Sequence, residues 1–177
     1  MSQVRSATVE DARAIAALHI ASWRATYRGH MPDAMLDGLD LEARTAQRAR
    51  SLEAATHDRR GNIVSCSEGI VRAWASWGPE RGAFPEHANR YELYAIYAHP
   101  DHVGHGHGRA LMDHVVEASR AAGAKTLAVW VLDGNVKAIR FYTRAGFAHD
   151  RRIESTPCVM SDGTDTGTTK GRMVRAL

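Results

Sequence analysis

The sequence predicts an α/β (α+β) fold in which one sheet is flanked by about four helices, and three observations support this. Helical spacing opens the chain, three consecutive strand-like runs follow, and the remainder alternates helix-like and strand-like segments. With 177 residues, 44% apolar and 24% charged, the chain has the size and composition of one globular domain. We therefore expect residues 1–177 to form a single domain.

The first part of the chain predicts two helices followed by three strands. Thr8 is a suitable N-cap for the first helix, and glycine and proline over 29–33 separate it from a charged surface helix. From Gly61 onward, β-branched and aromatic residues indicate strands that follow one another and should therefore be antiparallel. The expected bounds are 9–27 and 40–52 for the helices and 62–65, 70–77 and 91–98 for the strands.

The second part of the chain alternates between helix and strand. Gly123 supplies a C-terminal stop for the helix before it, and the continuous apolar run at 125–132 is typical of a central strand. Gly, Thr, Ser and Asp dominate 155–171, which we therefore expect to be a loop between the last two strands. The expected bounds are 110–122 and 135–145 for the helices and 125–132, 147–153 and 172–176 for the strands.

Composition narrows the expected partners and compartment. The net charge is +3 and the pI is near 9.1, but the basic residues are spread along the chain, which argues against a nucleic-acid partner and fits an anionic small-molecule ligand as well as a solvated surface. Cys66 and Cys158 are too few for a disulfide framework. No secretory signal or bilayer-length apolar run is present, so we expect a cytoplasmic protein without a membrane partner.

The strongest local signal is a glycine-rich segment between a strand and a helix. It reads His99-Pro-Asp-His-Val-Gly-His-Gly-His-Gly-Arg109. Glycines let the backbone approach a ligand, and unpaired amides at a helix start favour an anion, so the segment predicts a phosphate site. A plain turn is the alternative. The Walker and dinucleotide-binding patterns both fail, because no Lys-Ser or Lys-Thr follows and the GxGxxG spacing is absent.

Four histidines in this segment invite a metal interpretation, because imidazole is a common zinc ligand. They are His99, His102, His105 and His107. No nearby cysteine or carboxylate cluster completes a ligand shell, so we expect no metal. In a phosphate-binding loop the backbone binds while alternate side chains face solvent, and His105 and His107 are therefore predicted to be exposed.

Three motifs in order resemble the GNAT superfamily of acyl-CoA-dependent N-acyltransferases. They are the strand and its end at 92–100, Val103-Gly-His-Gly-His-Gly108 with Leu111, and Asn135-Val-Lys-Ala-Ile-Arg-Phe-Tyr142 with Gly146-Phe147. The order of elements is also similar, so the resemblance covers nearly the whole chain. It implies a mixed sheet splayed between its fourth and fifth strands, with acetyl-CoA or another acyl-CoA in the gap.

The resemblance also implies which residues contact the cofactor. The end of the fourth strand would pair with the pantetheine arm, and the backbone amides of the glycine-rich segment would hold the diphosphate. Val103 stands where the family usually has Gln or Arg, which removes a polar contact. Spacing puts the third motif's contacts on one helical face, where the family's asparagine fixes the cofactor arm. The expected contacts are Ile96, Tyr97, Ala98, Val103, Gly104, His105, Gly106, His107, Gly108, Arg109, Asn135, Ala138 and Tyr142.

Two residues are candidates for proton transfer. The resemblance makes Tyr142 a general acid near the sulfur; the alternative is a core residue beside Phe141. Glu92 lies in an apolar strand, where burial would raise the pKa of its carboxyl toward that of a general base. A surface carboxylate and direct attack without a dedicated base are the alternatives. A base is useful because deprotonating an amine of pKa about 10.4 at pH 7 costs about 4.6 kcal/mol.

The resemblance implies an acceptor site between the first helices and the stretch 154–165. Trp23, Tyr27 and Trp74 could cover a cationic or planar amine, and Asp162 with Asp165 could attract it. Core packing of the tryptophans and a solvated loop are the alternatives.

These features together predict an enzyme that moves an acyl group, with acetyl expected, from acyl-CoA to the amine of a small molecule by direct attack in a ternary complex. The segment 23–29 followed by Pro32 resembles a subgroup of small-molecule acetyltransferases. Two alternatives stay open, an acyl-CoA sensor of the same fold without turnover and a protein N-acetyltransferase. A homodimer is compatible with all three.

Overall fold

The strands form one mixed sheet whose spatial order departs from chain order at one edge. The computed structural model of the chain describes residues 3–55, 60–82, 89–159 and 163–177. The strands are β1 (Gln3–Ser6), β2 (Gly61–Ser67), β3 (Ile70–Pro79), β4 (Arg90–Ala98), β5 (Thr126–Leu132), β6 (Ala148–His149), β7 (Thr156–Val159) and β8 (Asp165–Ala176). Their order is β1-β2-β3-β4-β5-β8-β6, with β7 beside β8. Neighbours are antiparallel except β4 and β5, which are parallel, so the predicted mixed sheet is confirmed.

Four long helices and one short one flank the sheet in the described ranges. They are α1 (Ala12–Tyr27), α2 (Asp33–Asp37), α3 (Leu41–Ala55), α4 (His107–Ala121) and α5 (Val136–Arg144). The long helices agree with the predicted ones, and α2 adds a single turn after Pro32 that buries Leu36. No helix in these ranges has the length and apolar character needed to cross a bilayer.

Apolar side chains pack on both faces of the sheet. On one face, Leu111 of α4 packs with Leu93 of β4 in a cluster that also takes in residues of α5. On the other face, Ile15 of α1 and Leu52 of α3 pack against Trp74 of β3. The sheet is therefore a central layer, with α4 and α5 on one side and α1 and α3 on the other.

β4 and β5 pair over only part of their length. The ladder joins Arg90–Leu93 to Thr126–Val129 and ends there among the described residues. The register between β3 and β4 shifts at the same level, which leaves Tyr94 as an extra residue in β4. Such a bulge bends its strand and re-aims the residues beyond it. The two strands diverge after Leu93, as the resemblance implied, and open a gap beside 94–98.

The end of the chain contains more strand than the sequence predicted. The expected strand at 147–153 is reduced to β6, and the expected loop at 155–171 holds β7 and half of β8. The prediction was wrong because the glycines and aspartates of this segment favour a loop locally, although the β-branched residues Thr166, Thr168 and Thr169 are compatible with a strand. Pairing of β8 with three other strands supplies the remaining stabilisation.

Candidate active site

The glycine-rich segment has the backbone geometry of an anion cradle. Gly104 and Gly106 have φ of +88° and +84°, a region that favours glycine. Gly106 is the N-cap residue of α4, and no side chain caps the first turn. The amides of that turn and the helix dipole therefore favour an anion at this position. Val103, just before the cradle, is 66% exposed and has an apolar side chain, so it adds no polar contact.

His107 differs from its prediction. It is only 4% exposed, and its Nδ1 lies 2.8 Å from Ser65 Oγ of β2. The expectation of exposure was wrong because α4 begins at His107, which places this side chain one turn before Leu111 on the sheet-facing side. Burial lowers the pKa of the His107 ring, and the neighbouring histidines add to this effect. His105 is exposed, as predicted.

His102 lies at the centre of the four histidines of this segment. The ring of His102 lies 5.9 Å from that of His99, 5.8 Å from that of His105 and 6.2 Å from that of His107. Within the described ranges, no three His, Cys, Asp or Glu side chains are arranged to hold a metal ion.

The end of β4 turns alternate backbone groups into the gap. The His99 amide donates to the Arg72 carbonyl of β3, and antiparallel ladders alternate, so Tyr97 also bonds toward β3. Ile96 and Ala98 therefore direct their backbone groups toward the gap. The Ala98 carbonyl already accepts a hydrogen bond from Ser22 Oγ at 2.7 Å. Ile96 is thus the residue whose backbone N–H and C=O are best placed to pair with an extended ligand in the gap.

α5 packs in the same apolar cluster as Leu93 of β4 and Val129 of β5, the residues at which the ladder between these strands ends. Asn135 is its N-cap, with Oδ1 accepting the Ala138 amide at 3.1 Å. This bond fixes the side-chain orientation of Asn135 and leaves its NH₂ group as a potential donor. Ala138 and Tyr142 follow at spacings of three and four, on the same helical face.

Tyr142 is buried in the core that α5 shares with β4. Its side chain is 7% exposed, and its ring lies 5.4 Å from that of Phe141 and 5.7 Å from that of Phe147. Burial raises the pKa of the phenol, and the nearby Tyr97 phenol raises it further. The hydroxyl is therefore protonated across the neutral range. Packing in the core and holding a proton are compatible roles for this residue.

Glu92 is 3% exposed, so the alternative of a surface carboxylate is wrong. Arg81 pairs with it, with Nη2 2.6 Å from Oε1 and the backbone amide 3.1 Å from Oε2. The carboxylate lies on the face of the sheet covered by α1 and α3, because its neighbours Tyr91 and Leu93 face α4. Glu92 is thus a buried ion-pair partner whose role as a base stays a prediction.

The predicted acceptor residues are only partly brought together. The rings of Trp23 and Tyr27 lie 5.4 Å apart, whereas Trp74 is 1% exposed and belongs to the core. His19 joins these regions, with ring distances of 5.0 Å to Trp23, 4.7 Å to Tyr97 and 6.0 Å to Trp74. We call His19, Trp23, Tyr27 and Tyr97 the aromatic cluster. His19 is not among the residues predicted for the acceptor site, although 19, 23 and 27 recur at the four-residue spacing of one helix face.

The two acidic residues proposed for the acceptor site have different outcomes. Asp165 is exposed at the start of β8, and its Oδ1 accepts the Gly167 amide at 2.9 Å. This local turn occupies one of its oxygens. Asp162 lies outside the described residues.

Known proteins are similar to this chain in sequence and in fold. Residues 15–147 match the model of the Acetyltransferase (GNAT) family. The uncharacterized N-acetyltransferase YuaI of Bacillus subtilis is 34% identical over 143 residues, which are 80% of this chain and 78% of that protein. The L-amino acid N-acyltransferase MnaT of Escherichia coli is 29% identical over 85 residues, which are 48% of each chain.

The fold recurs in the structure of the PaiA N-acetyltransferase of Thermoplasma acidophilum in complex with coenzyme A. The TM-score is 0.79 at 17% identity, over 100% of this chain and 99% of that one. This likeness shows that the two proteins have the same fold. The chain therefore belongs to the acetyltransferase (GNAT) family and is an N-acyltransferase dependent on acyl-CoA.

Proposed function

We propose that the protein transfers an acyl group, with acetyl expected, from acyl-CoA to the amine of a small molecule by direct attack in a ternary complex. One observation carries the proposal, the gap between β4 and β5, which has the glycine cradle near the end of β4 and Tyr142 near its side. Bound acyl-CoA supplies an activated thioester. The protein's part is to hold that group in the gap, admit an amine from the α1 side and manage two protons.

Cofactor binding in this proposal uses backbone more than side chains. The amides over Gly104–Arg109 would receive the diphosphate, because the dipole of α4 and the uncapped first turn favour negative charge. Ile96 would pair with the pantetheine arm, and the NH₂ group of Asn135 would reach it from α5. Ala98 contributes less, because Ser22 already uses its carbonyl. His105 and Arg109 are exposed at the cradle and add side-chain charge or hydrogen bonds.

Two residues would manage the protons. Tyr142 holds a proton that a departing thiolate needs, and its raised pKa keeps that proton on the phenol until negative charge develops nearby. Glu92 would take the proton of the attacking amine, directly or through water. Arg81 Nη2 lies 2.6 Å from Oε1 of Glu92 and would fix the position of this carboxyl group. A backbone amide at the β4 bulge would stabilise charge on the carbonyl oxygen.

A small-molecule acceptor is supported by the aromatic cluster and by a relative. MnaT is named an L-amino acid N-acyltransferase, and it matches about half of this chain. Trp23, Tyr27 and Cys158 of β7 all pack against a cluster that includes Leu132 at the end of β5. This arrangement would place the acceptor where the two strands diverge. Trp74 lies beneath this site and would support it without touching the acceptor.

The test is a thiol-release assay with acetyl-CoA and longer acyl-CoAs against a panel of amines and peptides. The variant Tyr142→Phe should lower kcat by about 10²- to 10⁴-fold while CoA still raises the melting temperature. Tyr91→Phe is the matched control, because it also removes a buried phenol hydroxyl but lies in the paired part of β4. It should retain activity.

Several outcomes would contradict parts of the proposal. Full activity of Tyr142→Phe would remove this residue from the mechanism. CoA binding without thiol release across the panel would favour a sensor, and preference for peptides over free amines would favour a protein acetyltransferase. No rise in melting temperature with any CoA would contradict the cofactor assignment.

A further inference from the structure

Two arginines of α3 lie against tryptophan rings at the edge of the aromatic cluster. The guanidinium carbon of Arg48 is 3.9 Å from the centroid of the Trp74 ring, and that of Arg44 is 5.9 Å from the centroid of Trp23. The two residues are four apart and share a helix face. Stacking on a ring fixes the plane of a guanidinium and leaves its edge donors free to point elsewhere. These are positioned cations at the border of the acceptor site.

These two cations have no carboxylate partner in the described part of the chain. Arg44 donates to Gln47 Oε1 at 3.3 Å, and the buried Nε of Arg48 has no hydrogen-bond partner among the described residues. The Nε2 atom of His19 is likewise buried and unsatisfied there. Buried donors without partners are costly and uncommon in native proteins, so each calls for an explanation.

Two arginines in other described elements do have carboxylate partners. Arg172 is fully buried between Glu80 and Asp150, and Arg5 pairs with Asp11 at 2.6 Å. The α3 pair instead places two like charges side by side, and burial together with Arg44 lowers the pKa of Arg48 to about 10. An anion between them would relieve both the repulsion and the unsatisfied donor.

We propose that Arg44, Arg48 and His19 bind an anionic group of the acceptor, such as a carboxylate, so that the preferred acceptor is an amine that also carries a negative charge. This inference rests on the proposed function, because it concerns the acceptor side of the same site.

The aromatic cluster connects this anion site to the reacting groups. The rings of His19 and Tyr97 lie 4.7 Å apart, and Tyr97 also lies close to Arg48 and Tyr142. An acceptor held at the arginines would therefore extend along Tyr97 toward the gap beside β4. His19 is neutral there, because burial and the two arginines lower its pKa to about 3. A neutral ring can donate a hydrogen bond to an anion without adding a third charge.

The test compares matched acceptors, an L-amino acid and its amide, which share the amine but differ in the negative charge. For each protein, kcat/KM for the acid is divided by kcat/KM for the amide. The readout is this ratio in a variant relative to wild type, a comparison that cancels the different basicity of the two amines. Arg48→Gln should lower this ratio by about ten- to a hundredfold, the usual effect of removing one charged hydrogen-bond partner. Arg48→Lys keeps the charge and should restore part of it.

Two further variants make the test specific. Arg44→Gln alters the more exposed member of the pair and should lower the ratio in the same direction, even if Arg48 variants prove unstable. Arg50 is exposed on the same helix, so the control variant Arg50→Gln should leave the ratio unchanged. An unchanged ratio in folded Arg44→Gln and Arg48→Gln, with turnover intact, would overturn the anion site and leave the proposed function standing.

A binding experiment tests the anion site even if no amine is acylated. Calorimetric titration of L-amino acids and their amides into the CoA complex should show acid binding that Arg44→Gln weakens. In that case the proposed transfer fails while the anion site is supported. Wild-type protein that binds acid no better than amide overturns the anion site directly.

Discussion

Replacing His19 with Gln should make the stability of the protein less sensitive to acid. Burial is the main cause that lowers the pKa of His19 from 6.5 to about 3, and Arg48 and Arg44 add to it. Between these two pKa values the His19 ring is therefore neutral in the native state and protonated in the unfolded chain. The stability associated with the neutral ring is complete above pH 6.5 and falls as the pH decreases toward 3.

The size of the effect follows from the width of this window. Each pH unit below the unfolded pKa, within the window, removes about 1.36 kcal/mol from the free energy of unfolding. Between pH 6.5 and about pH 5 the ring should therefore account for a loss of about 2 kcal/mol. Other groups contribute to the slope, since the pKa of His107 is also lowered, so the prediction concerns the difference between variant and wild type.

The assay is urea unfolding across this pH range in a cationic buffer such as Bis-Tris, which adds no carboxylate or phosphate that could occupy the α3 arginines. His149→Gln is the matched control, because it removes an exposed histidine. Wild type and His149→Gln should lose about 2 kcal/mol more than His19→Gln between pH 6.5 and about pH 5. Parallel curves for wild type and His19→Gln would refute the assignment of a neutral, buried ring.

Three other substitutions test the cradle, the buried ion pairs and the helix cap. Gly106→Ala puts a side chain at φ +84°, which should cost about 1–2 kcal/mol in unfolding free energy and reduce the rise in melting temperature that CoA produces; an unaffected CoA response would separate the cradle from the cofactor. Arg172→Met leaves Glu80 and Asp150 buried without their shared partner, so unfolding experiments should show a loss of about 3–5 kcal/mol. Arg152 also contacts Asp150 but is exposed, so Arg152→Met should lower the free energy of unfolding by less than about 1 kcal/mol. Equal losses in the two variants would argue against a special role for Arg172. Asn135→Ala removes the bond to the Ala138 amide and should lower stability by about 1 kcal/mol in thermal melts, whereas an unchanged melting temperature would mean that this cap contributes nothing.

Features encoded locally could be predicted from the sequence. The helices of the first two thirds and the strands β2 to β5 follow from periodicity over a few residues, and the positive φ values of Gly104 and Gly106 follow from glycine itself. The extent of β8 could not be read in the same way. Its glycines and threonines become strand only because β5, β6 and β7 pair with it, and pairing is not visible in a local window.

The site shows the same division. The strand pattern makes Glu92 a candidate, but its partner Arg81 lies after β3 and is brought to it by the antiparallel pairing of β3 with β4. The predicted helix begins at residue 110, whereas α4 begins at His107, so the expected exposure of the His107 side chain is wrong. The approach of Arg48 to Trp74 joins a helix to a strand 26 positions away, and no local pattern predicts it.

The short ladder between β4 and β5 has a mechanical consequence. Four residue pairs are all that the parallel seam contributes to holding the β1–β4 half of the sheet against the half built around β8. A ligand that pairs with Ile96 would extend this seam and couple the two halves. Amide hydrogen exchange at Ile96 should then slow when the gap is filled, and the halves should unfold at closer denaturant concentrations. The seam would thus let occupancy of the active site set how cooperatively the molecule unfolds.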